Sequence, residues 1–276
     1  RAAQMLSTLM AVMAIAPLLG PIVGGQILAL AGWRAIFWTL VGVGLATLAV
    51  LFTLPETLPA ERRNREPLKR VLISYGHFLR ERRILGYAGA GGFFYGGLFA
   101  YIAGTPSAYI TYYHVPPRFY GLLFGVGVAG IMASNFANSR LVTRLGGERL
   151  LVGGTAVAAI SGVLLAVATW IGWGGLAGLV LPLFLFISAT GFIVANSISG
   201  ALAGFPERAG AVSALVGAIQ YGSGIIGSAL VGAFADGTPW PMGWVIAIAG
   251  VGSLLCARFL LLSSRPVISK TNPQTA

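Results

Sequence analysis

Charged side chains are scarce in this sequence. Of its 276 residues, 9% are Asp, Glu, Lys or Arg and 57% are hydrophobic, whereas about 25% of the residues in a soluble domain are charged. This shortage excludes an ordinary soluble domain and predicts a protein with several membrane-spanning segments. The single cysteine, Cys256, excludes an internal disulfide bond.

Acidic residues and histidines are absent from the interior of the apolar runs. The seven acidic residues and two histidines occur in loops or at the ends of these runs: Glu56, Glu61, Glu66, Glu81, Glu148, Glu207, Asp236, His77 and His114. An enzyme embedded in the membrane needs a buried nucleophile with its base, or a group of metal ligands. The sequence therefore predicts no catalytic residue, no metal site and no cofactor, and we do not expect an enzyme.

The apolar runs themselves are long enough to cross a bilayer as helices. A crossing takes ~20 apolar residues, and eight runs qualify, at about residues 5–31, 35–54, 84–113, 119–139, 149–172, 176–204, 209–235 and 243–262. They lack the period-two alternation of a membrane β-barrel. We therefore predict an all-α membrane protein, a polytopic bundle with eight transmembrane helices.

Basic residues are distributed unevenly between the two ends of these runs. Of the 18 Lys and Arg residues, all but Arg34 and Arg118 fall on one side. Cytoplasmic loops carry such an excess, so we predict that residues 55–83 and the C-terminal tail, 265–276, are cytoplasmic. The net charge of +11 then reflects topology and contact with anionic lipid, and no nucleic-acid partner is predicted.

The first apolar run contains residues that disfavour a straight helix. Pro17 and Pro21 lack an N–H group and kink the helix. Gly20 and Gly24 are four residues apart and, with Gly25, open a groove in which another backbone can approach closely. Alternatively, this is an ordinary kinked membrane helix, because proline and glycine are common in such helices.

The same stretch carries a resemblance to a known family. "APLLGPIVGG" resembles the antiporter signature of the major facilitator superfamily, a Gly-Pro-x-x-Gly-Gly core, although Ser7 and Ala16 stand where that pattern has glycine. Five further segments occur in the order of its bicyclomycin and chloramphenicol resistance (Bcr/CflA) drug-efflux branch: "GWRAIFW", "LPET", "FAYIAGTPSAYI", "NSRLVTRLGGERLL" and "FPERAGAVSAL". The resemblance covers essentially the whole chain.

The resemblance implies a transporter of twelve helices in two halves, with a central cavity and alternating access. The eight runs then correspond to helices five to twelve, and we expect the chain to be a fragment that lacks the first four. Residues 1–54 would be the last two helices of the N-terminal half and 55–83 the link between halves. Residues 84–264 would be the six-helix C-terminal half, followed by the tail.

Candidate substrate contacts lie on the implied helices seven, ten and eleven. Tyr87, Phe94 and Tyr101 recur every seven residues and so share one face of a helix, and aromatic faces suit apolar and cationic drugs. Asn196, Gln220 and Tyr221 are the other candidates. The alternatives are helix packing for the aromatic residues and hydrogen bonds between helices for the polar ones.

The segment "NSRLVTRLGGERLL" is similar to the conserved cytoplasmic loop of these transporters. Arg140, Arg144 and Arg149 would hold an inner gate through contacts with helix ends or with Glu148. Equally, these arginines serve only to set the topology.

We therefore expect a proton-coupled exporter of drugs or antibiotics in the bacterial inner membrane, monomeric as the full-length protein. Its partners would be a small-molecule drug, protons and the lipid bilayer, with the coupling carboxylate in the missing helices. The alternatives are a facilitator or importer of a small metabolite and, less favoured by the residues, a membrane-embedded enzyme.

Overall fold

Residues 23–28, 30–55, 75–76, 78, 80–205 and 208–262 are described by a computed structural model. Within these ranges the chain forms helices joined by turns, without a strand, which confirms the predicted all-α fold. The chain divides into two compact units, Arg1–Glu66 and Pro67–Ala276. The division falls inside the connection predicted at 55–83.

The first unit contains the long helix α1, Trp33–Thr53. Gly32 precedes α1 with a φ of 75°, a backbone conformation that favours glycine. The helix ends at Thr53 because Leu54 precedes Pro55 and is extended, since a residue before proline avoids the helical conformation. The predicted span at 35–54 therefore corresponds to α1.

The second unit contains seven further helices among its described residues. They are α2 Arg82–Pro106, α3 Pro117–Leu145, α4 Gly147–Ile171, α5 Gly175–Ser188, α6 Thr190–Leu202, α7 Ala209–Ala233 and α8 Trp240–Leu262. A π-helical turn, Ser107–Tyr112, continues α2. Each span predicted in this unit begins within three residues of a helix.

The span predicted at 176–204 is interrupted. The chain turns at Ala189 and divides into α5 and α6. Thr190 directs its hydroxyl to the carbonyl oxygen of Ile187, and the N–H of Gly191 bonds outside its own helix. Hydropathy shows that the run is apolar, but it does not show this tertiary hydrogen bond.

Six helical segments of the described part are long and apolar enough to cross a membrane. They are α1, most of α3, α4, α5 together with α6, α7, and most of α8. Helix α2 is not among them, although it has 25 residues. It is rich in glycine and is buried along its length between α7 and α8.

Small residues bring α4 and α8 into backbone contact. A Cβ atom on Gly250 would overlap the carbonyl oxygen of Ala158, and one on Gly162 would lie 2.9 Å from the carbonyl oxygen of Ile246. Gly243 likewise has no room for a side chain beside Thr169. We call Ala158, Gly162, Gly243 and Gly250 the small-residue seam. Such close approach is the usual basis of packing between membrane helices.

Helix α2 is held against α7 and α8 in the same manner. A Cβ atom on Gly227 of α7 would overlap the carbonyl oxygen of Gly96 of α2. The hydroxyl of Ser253 in α8 donates to the carbonyl oxygen of Ala90 over 2.7 Å. The four helices α2, α4, α7 and α8 therefore form the closely packed part of the unit, and α6 packs on it where Gly154 of α4 faces Phe192.

Candidate functional site

The structure separates the six predicted substrate contacts into two groups. Tyr87, Phe94, Tyr101, Asn196 and Gln220 are buried inside the second unit, whereas Tyr221 is 60% exposed. Only Tyr221 therefore presents its side chain at a surface of the described structure.

The seven-residue aromatic stripe of α2 packs against neighbouring helices. Phe94 stacks on Phe186 of α5 with ring centroids 5.0 Å apart, and Tyr101 stacks on Phe124 of α3 at 5.9 Å. The ring of Tyr87 occupies the space where Gly200 of α6 would carry a side chain. These contacts account for the spacing as helix packing in this conformation.

A second aromatic group lies on a different side of α2 from this stripe and includes Tyr221. The rings of Tyr95 and Phe99 of α2 stack with centroids 6.3 Å apart and an angle of 24° between their planes. The ring of Tyr221 on α7 meets both edge-on, at 5.4 Å from Tyr95 and 6.4 Å from Phe99. Tyr95 and Phe99 are partly exposed. We call these three residues the aromatic face.

The sequence pattern did not single out Tyr95 and Phe99. They are four residues apart and so share a helix face. This spacing is as regular as the seven-residue spacing of the stripe. Glycine or alanine occupies much of α2, so neither spacing marks the uncovered side by hydrophobicity. The two aromatic spacings are distinguished only by which of them faces α7, and this is a tertiary contact.

Two buried asparagines join α3 to α6. The side-chain amide of Asn196 donates to the Asn138 side-chain oxygen over 2.6 Å and to the carbonyl oxygen of Phe192 over 2.8 Å. Asn196 is 3% exposed and Asn138 is 7% exposed. This is the interhelical hydrogen bond that the sequence left as an alternative role for Asn196.

One turn away, a second hydrogen bond joins the same helices. The N–H of Gly191 donates to the hydroxyl oxygen of Ser134 over 3.2 Å, and that hydroxyl donates to the carbonyl oxygen of Ile131 over 2.9 Å. A Cβ atom on Gly191 would overlap the backbone of Ser134 and Asn135, so only glycine fits. We call Ser134, Asn138, Gly191 and Asn196 the polar seam.

Gln220 joins α7 to α6 at the level of Asn196. Its amide nitrogen lies 3.4 Å from the hydroxyl oxygen of Ser197, the donor–acceptor distance of a long hydrogen bond. Gly91 of α2 faces both groups and has no room for a methyl group there. Helix α6 therefore directs one polar residue to α3 and the next to α7.

A family model, the Major Facilitator Superfamily, matches residues 1–228 of the chain. The chain belongs to the major facilitator superfamily. The match extends over both compact units, and the helical bundle described above agrees with it.

Relatives of this major facilitator superfamily chain include proteins named for drug resistance. It is 32% identical to the bicyclomycin resistance protein homolog of Haemophilus influenzae, over 93% of the chain and 65% of the relative. It is 35% identical to an uncharacterized MFS-type transporter of Bacillus subtilis, over 90% and 62%. It is 27% identical to multidrug resistance protein D of Escherichia coli, over 88% and 60%. The chain thus spans a little under two thirds of these relatives.

The family's signature residues lie partly outside the described residues. Pro17, Gly20 and Pro21 are not described. Gly24 and Gly25 belong to a helical stretch, and a Cβ atom on either would meet no described atom within 4 Å. The groove predicted at this signature stays a prediction.

The arginines of the predicted gate loop are exposed at the junction of α3 and α4. Gly146, with a φ of 82°, is the only residue between the two helices, and this left-handed backbone favours glycine. The Arg140 guanidinium lies 4.5 Å from the ring centroid of Phe136. Among the described side chains no ion pair joins Arg140, Arg144 or Arg149 to Glu148, so their gating role stays a prediction.

The carboxylates that the structure describes lie away from its buried interior. Glu81, Glu148 and Asp236 are all exposed. The Asp236 carboxylate accepts hydrogen bonds from the Thr238 hydroxyl over 2.7 Å and from the Thr238 N–H over 2.8 Å. These bonds lower the pKa of Asp236 below its ordinary value, because they stabilise the charged form.

Proposed function

We propose that the protein is a secondary transporter that exports drugs or antibiotics across the bacterial inner membrane in exchange for protons. The observation that carries this proposal is the similarity to relatives named for bicyclomycin resistance and multidrug resistance. The bundle of apolar helices without a buried carboxylate among its described residues supports transport over catalysis.

The aromatic face is the part of the described structure that best suits a drug. Tyr95, Phe99 and Tyr221 offer ring faces and edges in one patch, and Tyr221 is largely uncovered. Flat apolar molecules stack on such rings, and cationic molecules are attracted to their faces. We therefore assign substrate contact first to this patch.

The buried candidates have a different part in the proposal. Tyr87, Phe94 and Tyr101 reach a substrate only in a conformation that separates α2 from α3, α5 and α6. Asn196 and Gln220 hold α6 between α3 and α7 in the conformation described here. The coupling carboxylate is proposed to lie outside the described residues.

Replacement of Tyr221 tests the substrate assignment. Tyr221→Ala in the full-length protein is expected to lower resistance to flat cationic drugs by about fivefold and to change resistance to non-aromatic drugs little. Tyr221→Phe keeps the ring and is expected to retain resistance. Ile226→Ala on the same helix is the control, because Ile226 is 61% exposed but lies on another side. Equal losses for every drug in all three variants would contradict the assignment.

Proton flux tests the mechanism separately. In vesicles with an imposed pH gradient, drug addition to the full-length protein is expected to cause proton movement against a protein-free control. Drug movement without proton movement would instead favour the facilitator. Uptake of a metabolite into cells, with no change in drug resistance, would favour an importer.

A further inference from the structure

At the interruption, the N–H groups of Phe192 and Ile193 both bond the carbonyl oxygen of Ala189 over 3.1 Å, whereas the N–H of Gly191 bonds outside its own helix. The first N–H groups of any helix lack a carbonyl one turn earlier, and in a membrane such groups need another partner. The N–H of Gly191 finds that partner in the Ser134 hydroxyl of α3. A side chain of a neighbouring helix thus takes the place of a main-chain carbonyl.

The hydroxyl of Ser134 is suited to this role because it both accepts and donates a hydrogen bond. It accepts from Gly191 and donates to Ile131 in its own helix, which fixes the direction of the O–H bond. Asn138, one turn further along α3, holds α6 at Asn196. The start of α6 is therefore fastened to α3 at two points.

On the α5 side of the interruption, one polar group lacks a hydrogen bond. The Ser188 hydroxyl oxygen, at the end of α5, is buried and has no hydrogen-bond partner. It presses against Gly130 of α3, where no side chain would fit. A buried hydroxyl without a partner is unfavourable.

The interruption borders open space. A cleft of about 350 Å³ is lined by Gly130, Ala137, Phe184 and Phe192, among others. These residues come from α3, α5 and α6. Helix α6 itself packs on the rest of the unit, because a Cβ atom on Gly154 of α4 would lie 2.8 Å from the Cβ atom of Phe192 and the ring of Tyr87 fills the space at Gly200.

We propose that Ser134 is a positioning residue that sets the angle between α5 and α6 by holding the N–H of Gly191 against α3. This role rests on the proposed transport function, because α6 carries Asn196 and Ser197 between α3 and α7. Ser134 contacts no substrate in this account. Its removal changes the rate of the conformational step and leaves substrate affinity unchanged.

Hydrogen exchange at Gly191 tests the proposal without any transport measurement. In the purified full-length protein, Ser134→Ala is expected to speed exchange of the Gly191 amide about 3- to 10-fold, the value of one net hydrogen bond. Ser134→Thr restores the acceptor and is expected to restore slow exchange. Ser161→Ala is the matched control, since Ser161 is also buried but bonds only to carbonyls of its own helix. If Ser134→Ala fails to fold, Ser134→Cys, with its weaker acceptor, replaces it.

Unchanged exchange at Gly191 in Ser134→Ala, or equal acceleration in Ser161→Ala, would overturn the proposal. Transport kinetics provide the second measurement: a lower kcat with unchanged KM is expected for Ser134→Ala, with recovery in Ser134→Thr. A raised KM with unchanged kcat would assign Ser134 to substrate binding and contradict the positioning role. If the full-length protein exports no drug, the proposed function fails while the exchange result still decides the role of Ser134.

Discussion

The small-residue seam and the polar seam join pairs of helices within one unit, but by different physical means. Between α4 and α8 the backbones touch at Gly162 and Gly250, and the nearby hydroxyls of Ser161 and Thr169 bond carbonyls of their own helix. Between α3 and α6 the side chains of Ser134 and Asn138 cross the interface and form the hydrogen bonds themselves.

The difference bears on which helices can move. Backbone contact at the small-residue seam depends on many van der Waals contacts that are lost together when the helices separate. Hydrogen bonds between membrane helices are individually weak, about 0.6 kcal/mol on average, and they can be exchanged for bonds to water or to another polar group. We infer that the small-residue seam is a fixed support and that the polar seam between α3 and α6 opens more readily.

The largest expected effect comes from opening the small-residue seam. Gly250→Leu places a side chain against the Ala158 carbonyl, so the helices must separate, and overpacking of this kind costs about 3 kcal/mol. We expect a sharp fall in the amount of folded protein, measured by thermal unfolding in detergent. Gly153→Leu is the control, because Gly153 on α4 is exposed and has open space around it. Equal stability of the two variants would show that the seam is not a fixed support.

A smaller effect is expected at the polar seam. Asn138→Leu leaves the Asn196 amide with one partner fewer in a buried place, and we expect a loss of about 1 kcal/mol in the free energy of unfolding. Transport turnover is expected to fall more than this stability change suggests, because α6 loses a contact that positions it against α3.

Asn135→Leu provides the matched comparison for Asn138→Leu. Asn135 lies on the same helix and is exposed, so its replacement is expected to change the free energy of unfolding by less than about 0.5 kcal/mol. If Asn138→Leu were as destabilising as Gly250→Leu, the distinction between a fixed seam and an adjustable one would be lost.

The sequence predicted the helices well because a membrane span is specified by a long apolar run. The starts of α2 to α5, α7 and α8 were predicted to within three residues. The inward side of each helix was harder to predict, since α2 carries glycine on several sides and its two aromatic spacings were equally regular. The sequence therefore predicted the stripe at Tyr87, Phe94 and Tyr101 as the substrate contact and did not distinguish it from Tyr95 and Phe99.

The polar seam was only half visible for a related reason. Asn196 stood out as a polar residue in an apolar run, but its partner Asn138 lay near the end of a predicted span and was not singled out. At the interruption, the N–H of Gly191 bonds Ser134, which is 57 residues away in the chain. Local pattern cannot show a helix break that is stabilised by a distant side chain.

The smallest expected effect is at the turn that precedes α8. It tests whether Asp236, next to a helix of the small-residue seam, takes part in proton coupling. The Thr238 hydroxyl donates to Asp236 and accepts from the Trp240 N–H at the start of α8 over 3.2 Å. Thr238→Val removes both bonds and leaves the main-chain bond to Asp236. We expect the pKa of Asp236 to rise toward the ordinary value of about 3.9, measured by titration of the carboxylate.

The sign of the pH dependence follows from this lowered pKa. A carboxyl whose folded-state pKa lies below its unfolded value stabilises the fold above the unfolded pKa, and this contribution is lost as the pH falls through the folded value. The stability difference between wild type and Thr238→Val is therefore expected to be constant from pH 8 to pH 6. It should shrink below about pH 4, where only the lost bond to Trp240 remains. Drug-dependent proton flux is expected to be equal in both proteins near neutral pH, because Asp236 stays ionised there. A shift in the pH profile of transport between pH 6 and pH 8 would instead place a coupling proton on Asp236. The helices of the small-residue seam would then take part in coupling and would not be a support alone.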